Sequence, residues 1–179
     1  MSQQTFLYRT ERIGLRPLSS EELSGPYPDW FLDEQVHRYN SHFRKPSSID
    51  EVRKFVASLV GDSSRLVLAI YSLLPQQHIG NISLQQIDHF NHCAELAFLL
   101  GDRSWWNQGI AQEAAELLIR HGRDYLALRR FSLGCLADNK GMNRLAEKLG
   151  FAQEGVLQKA LWHCGEFRDV NLYGYVVES

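Results

Sequence analysis

The sequence predicts an α+β fold: a mixed, mostly antiparallel central sheet of about seven strands flanked by helices. Three observations carry this. Three strand-like runs follow one another between residues 65 and 100, joined by short polar turns, as in an antiparallel meander. After residue 100 the pattern changes to helix, strand, helix, which is how a parallel pair is connected. The chain has 179 residues, 44% of them hydrophobic and 22% charged, the composition of one globular domain spanning 1–179. A chain of this length can bury roughly two thirds of its unfolded surface, so it needs no disulfide or metal staple.

Arg12 to Leu18 alternates, with Ile13 and Leu15 on one side, and reads as the first strand. Ser19 or Ser20 then caps a short acidic turn, Glu21-Glu22-Leu23, limited by Gly25, Pro26 and Pro28. Helix is expected around Asp33 to Arg38, and loop from Asn40 to Pro46. Ser48-Ile49-Asp50-Glu51 has the capping-box pattern, followed by Val52, Phe55, Val56 and Leu59 at helical spacing; this helix should stop near Gly61. The meander strands are Arg65 to Ser72, His78 to Ile87 and Cys93 to Leu100.

Gly109 to Tyr125 places Ile110, Ala114, Leu117, Leu118 and His121 on one helical face. Arg130 to Leu136 alternates as a strand, Lys140 to Leu149 is a second helix stopped by Gly150, and Phe151 to Leu157 and Val170 to Val177 are late strands.

Charge excludes some functions. The balance is 19 basic to 21 acidic side chains, net −2, without the basic excess a nucleic-acid binder uses against phosphates. Arg120, Arg123, Arg129 and Arg130 do cluster, as a solvated helix end or as a phosphate-facing patch. No run of about 20 apolar residues is present, so no membrane span is expected. The N-terminal stretch lacks the apolar core of a leader, and Cys93, Cys135 and Cys164 are odd in number and widely spaced, which suits a reducing cytoplasm. His89 and His92 lie in a turn with only Asp88 nearby, so no metal is expected.

The segment with chemical content is Leu99 to Ala114, where a strand runs through a loop into a helix that opens at Gly109-Ile110-Ala111. Unpaired N–H groups and the positive dipole end of such a helix bind phosphate, and small residues let a pyrophosphate approach the backbone. There is no GxGxxG and no Walker lysine, so the segment alone is not decisive.

Trp106-Asn107-Gln108-Gly109-Ile110-Ala111 resembles the acetyl-CoA loop of the GNAT superfamily, Q/R-x-x-G-x-G/A, in the form with a leading Trp found in the branch of ribosomal-protein N-terminal acetyltransferases. Asp138-Asn139 through Leu149-Gly150-Phe151 resembles that branch's second signature, and Arg12 to Leu18 its opening strand. The resemblance covers residues 10–178.

The resemblance implies the GNAT fold, with acetyl-CoA as co-substrate in an opening between splayed parallel strands, here Cys93–Leu100 and Arg130–Leu136. It implies pantetheine pairing at Phe98, Leu99 and Leu100, an oxyanion-stabilising N–H at Leu99 or Leu100, and pyrophosphate on the amides of Gln108, Gly109, Ile110, Ala111 and Gln112 beside Trp106 and Asn107. Asn139 takes the place of a residue near the cofactor's sulfur end. The reaction is direct attack of a neutral primary amine on the thioester. Many members carry Ser where this chain has Met142, so no acid for the thiolate is identified; Tyr173 is either that acid or part of the sheet's packing. A non-catalytic acyl-CoA-binding module is the alternative that Met142 keeps open.

Glu95, a charge in an otherwise apolar strand, is either the general base or a solvent-facing residue. Glu113 in the helix's first turn is explained by the dipole. Trp30, Tyr39, Asn40 and His42 are the candidate acceptor residues, and Trp162 is a further pocket wall or a core residue. They point to an amino sugar or other small polar amine, or to a peptide N-terminus. The resemblance also allows a homodimer through the late strands.

Overall fold

The computed structural model describes residues 5–39 and 48–178. Eight strands form one sheet: β1 (Tyr8–Arg9), β2 (Ile13–Pro17), β3 (Leu66–Leu73), β4 (Gln76–Asp88), β5 (Cys93–Leu100), β6 (Arg130–Leu136), β7 (Ala152–His163) and β8 (Glu166–Val176). Helices are α1 (Glu34–His37), α2 (Ile49–Ser58), α3 (Ile110–Tyr125) and α4 (Lys140–Lys148), with 3-10 turns at Ser20–Ser24, Pro28–Leu32 and Arg103–Trp105. The strand order is β1-β2-β3-β4-β5-β6-β8-β7. Every neighbouring pair is antiparallel except β5 with β6, so the mixed, mostly antiparallel sheet is as expected.

The capping signals act where the sequence puts them. Ser19 caps the first 3-10 turn with Glu22 reaching back, and Ser48 and Glu51 make the expected box at α2. β1 is an addition that two residues cannot announce by period. β7 and β8 are longer than their apolar runs because they form a protruding ribbon whose residues, such as Trp162 and Phe167, are largely exposed. Trp162 lies there in edge contact with Phe167 (ring centroids 4.9 Å apart), remote from any core.

Both faces of the sheet are covered. Ile13, Leu15, Leu68, Ile82, Leu84 and Leu96 pack with Ala114 and Leu118 of α3. On the other face Leu18, Tyr27, Trp30, Val67, Ala69 and Tyr71 pack with Val52 and Val56 of α2. Arg16, on the strand that buries Ile13 and Leu15, points into this second layer and pairs with Glu22, whose side chain is fully buried. A buried charge is tolerated only when it is paired and hydrogen-bonded, and Tyr71 and Ser19 complete the set. No helix among the described residues is long and apolar enough to cross a membrane.

Candidate active site

Parallel β5 and β6 hold together only at their start. Cys93 faces Arg130, Ala94 faces Phe131 and Glu95 faces Ser132; beyond that the strands part. β5 stays paired with β4 along its length, from Cys93 to Leu100. One edge of β5 therefore opens into a fork after Glu95, with main-chain groups available for an extended ligand.

Which amides face the fork follows from strand alternation. Gly101 N–H donates to Ile79 O on the β4 side, and His92 O accepts from Arg130 N–H on the β6 side. Odd-numbered residues thus spend their amides on β4, while Phe98 and Leu100 turn theirs to the opening. This corrects the expectation for Leu99: its N–H lies in the β4 ladder opposite Asn81, and the amides of the open edge are those of Phe98 and Leu100. The Leu100 carbonyl is already taken by the Trp106 indole N–H at 2.8 Å, so Trp106 braces the strand end.

The loop beyond is shaped by backbone conformation. Asn107 and Gly109 both have positive φ, 59° and 79°, and Gly109 caps α3 without any side-chain bond. The first amides of α3, at Ile110, Ala111 and Gln112, have no intrahelical acceptor. Arg12 holds this loop: its guanidinium donates to Gln108 O at 2.9 Å and pairs with Glu113, which Thr10 also contacts. Glu113 anchors Arg12 in addition to complementing the helix dipole, a cross-strand role invisible in local sequence.

At the open end of β6, Asn139 caps α4 by accepting the Met142 N–H at 3.2 Å, which leaves its side-chain nitrogen for other partners. Asn143 is a hub the sequence did not flag. Its oxygen accepts from Tyr173 at 2.6 Å and Asn171 at 2.7 Å, and its nitrogen donates to the carbonyls of Leu136, Ala137 and Asn139. Tyr173 is buried and its proton is committed to Asn143, so it packs rather than serving as a free acid. Burial pushes the Cys135 thiol up to about 11, which makes it a poor nucleophile.

On the α2 side of β5 lies a cavity of about 190 Å³. Tyr27, Phe31 and Phe55 wall it, Ala97 and Leu99 form its floor, and Asn81, Ser83 and Gln85 of β4 supply polar groups. Trp30 is buried beneath this wall, against Tyr27 and His78, and does not line the cavity. Tyr39 is exposed at the end of α1 with Arg38 over its ring, while Asn40 and His42 lie outside the described residues. Glu95 is half-buried at the apex of the fork, on the same sheet face as Ala97 and Leu99, and accepts from Gln86 at 3.0 Å.

The arginine cluster sits toward the far end of α3, with Arg120 and Arg123 about 16 and 21 Å along the helix from Gly109 at 1.5 Å per residue. Arg123 pairs with Asp124, Arg130 pairs with Glu154, and Arg120 lies over the Tyr8 ring. Arg123 and Arg130 are thereby neutralised in ion pairs. No group of three or more metal-ligating side chains gathers among the described residues.

Comparison with known proteins matches this geometry. Residues 12–152 match the acetyltransferase (GNAT) domain family. The ribosomal-protein-serine acetyltransferase of Escherichia coli strain K12 is 34% identical over 133 residues, 74% of each chain. Two solved structures share the fold: spermidine N-acetyltransferase from Vibrio cholerae with CoA and spermine (TM-score 0.84, 20% identity, 93% of this chain and 96% of that one), and RimL, a ribosomal L7/L12 alpha-N-protein acetyltransferase, with coenzyme A (TM-score 0.83, 23% identity, 94% and 96%). The matched domain spans the open fork, the loop into α3 and the α4 cap together, and the chain belongs to the GNAT acetyltransferase family as an N-acetyltransferase.

Proposed function

We propose that acetyl-CoA lies along the open edge of β5, with its thioester carbonyl against the Leu100 or Phe98 N–H and its pyrophosphate on the amides of Gln108 to Gln112. The observation that carries this is the fork itself: two parallel strands that stop pairing at Glu95 and Ser132, with the next β5 amides turned into the gap. The amine enters from the opposite side of the sheet, through the cavity floored by Ala97 and Leu99. It attacks the carbonyl directly; C–N forms, C–S breaks, and CoA leaves as thiolate. Positioning and oxyanion stabilisation supply the rate. The Asn139 side-chain nitrogen, left over after capping α4, is placed for the cofactor's sulfur end.

The attacking amine must shed a proton. Glu95 is the acceptor in this reading. It stands about 13 Å along the strand from Leu99 at ~3.3 Å per residue, so the proton reaches it along water. The acceptor is a small polar amine or a peptide N-terminus. The E. coli relative is named for a ribosomal-protein serine and the Vibrio neighbour for spermidine. Among the described residues the cavity has a single carboxylate on its wall, Glu51, which accepts from Ser48 N–H at 2.8 Å. That favours the first kind of acceptor over a polycation. A cytoplasmic location fits three unpaired cysteines, and a homodimer fits the exposed apolar ribbon of β7 and β8.

The test is thiol release from acetyl-CoA with a panel of amino sugars, short peptides, polyamines and aminoglycosides. Release with at least one class supports the assignment; binding without release from any amine overturns it. Glu95→Gln with an unchanged rate and pH profile removes Glu95 from the mechanism.

A further inference from the structure

We propose that Asn81 determines acceptor specificity: its side-chain NH2 is a buried donor that selects an amine carrying a hydrogen-bond-accepting oxygen close to the reacting nitrogen. This deepens the acetyl-transfer reading above and rests on it. Asn81 is 5% exposed, lines the cavity, and stands opposite Leu99 in the β4–β5 register.

Its orientation is fixed by logic of donors and acceptors. His78 Nε2 lies 2.9 Å from Gly80 O and 2.9 Å from Asn81 Oδ1. A backbone carbonyl only accepts, so Nε2 carries the proton. The Asn81 atom facing that proton must then be the oxygen, and the NH2 is turned away from His78. That NH2 is buried and has no partner among the described residues. An unmet buried donor is costly, and a ligand oxygen would recover that cost.

The arrangement is built by a β-bulge. Ile70 pairs with Gly80 and Tyr71 with His78, so Ile79 is the extra residue of β4. The bulge reverses the side-chain alternation and puts His78 on the same face as Asn81, Ser83 and Gln85. His78 is then locked between Tyr71 (stacked, 5.2 Å between centroids) and Trp30 (4.7 Å). His78 is thus a positioning residue for Asn81. The ligand chemistry is an amine with a hydroxyl or carbonyl oxygen nearby, available from an amino sugar or from a peptide N-terminus.

The experiment measures kcat and KM for wild type and Asn81→Asp with two pairs of acceptors: glucosamine against cyclohexylamine, and a serine-initiated tripeptide against hexylamine. The ionised Asp keeps the acceptor that His78 needs and removes the donor; burying its charge lowers the unfolding midpoint, and a cooperative melt with unchanged acetyl-CoA affinity checks that the variant folds. Wild type should prefer the oxygen-bearing member of at least one pair by about tenfold or more, the pair identifying the source. Asn81→Asp should abolish that preference through KM, with kcat within about twofold, and gain activity on putrescine. Equal loss on both members of a pair, or an unaltered preference, overturns the proposal. If no amine is acetylated, the acetyl-transfer reading fails by itself. Calorimetry with CoA and each oxygen-bearing amine then decides Asn81: binding weakened about tenfold in Asn81→Asp upholds its role, and equal or absent binding overturns it.

Discussion

The Trp30 indole lies flush against Gly101: a Cβ at that position would overlap the ring. Gly101 directly follows β5, so a core aromatic and the strand that borders the fork are in backbone contact. Gly101→Ala must displace Trp30 or the strand end. Overpacking of this kind costs about 1–3 kcal/mol, to be read as a lower urea midpoint, and the KM for the acceptor should rise because Tyr27, which packs on Trp30, walls the cavity.

Arg16 and Glu22 give the acid limb of stability. Burial pushes the Glu22 carboxyl up, but the Arg16 guanidinium, the Ser19 amide and the Tyr71 hydroxyl together more than offset it, so its pKa ends below the ordinary value. A lowered folded pKa means stability that is fully present above the unfolded pKa of about 4.3 and lost as pH falls below it. Glu22→Ala leaves Arg16 with the exposed Glu21 as its remaining carboxylate partner and should cost about 3–5 kcal/mol at neutral pH; a smaller loss in urea unfolding would show that the Glu21 pair suffices.

Histidine should add a second, milder slope. Burial pushes His78 down, against the opposing bonds to Asn81 and Gly80 and the charge of Glu22. The unfolded chain then takes up the proton first, so stability declines as pH drops below about 6.5. Thermal melts between pH 7 and pH 5 check this, with His78→Gln as the variant whose slope should be shallower.

Arg12 should matter for the cofactor rather than for the acceptor. Without it Gln108 O loses its donor and the loop at Asn107 and Gly109 loses its tie to β2. Arg12→Ala is expected to raise the acetyl-CoA Kd roughly threefold to tenfold, with amine selectivity unchanged. Equal acetyl-CoA affinity in calorimetry would mean that the loop holds its shape unaided.

Asn143 ties β6, β8 and α4 together. Asn143→Leu strands the Tyr173 hydroxyl and should cost about 1–3 kcal/mol. Tyr173→Phe removes only the donor, so kcat should stay within about twofold; a large loss would make Tyr173 the thiolate's acid after all.

Much of this was readable along the chain. The box of Ser48 and Glu51, the apolar face of Gly109 to Tyr125, and the glycine that opens α3 are short-range features, settled by neighbours three or four residues apart. The acceptor side was harder. Its candidates, Trp30, Tyr39, Asn40 and His42, rest on residue type in a stretch without period, and Trp30 is core. Asn81 and His78 are polar residues within a strand, with no local pattern that sets them apart.

The sequence by itself determined the elements, their caps and the turn that opens α3, because helix period and capping act within a turn or two. Only the tertiary structure decided the insertion of β8 between β6 and β7, the parting of β5 from β6 after Glu95, and which β5 amides face the gap. It also set the bulge at Ile79 that aligns His78 with Asn81. Those features depend on register between strands far apart in the chain, and a one-residue slip, too small to mark any local pattern, reverses which side each group faces.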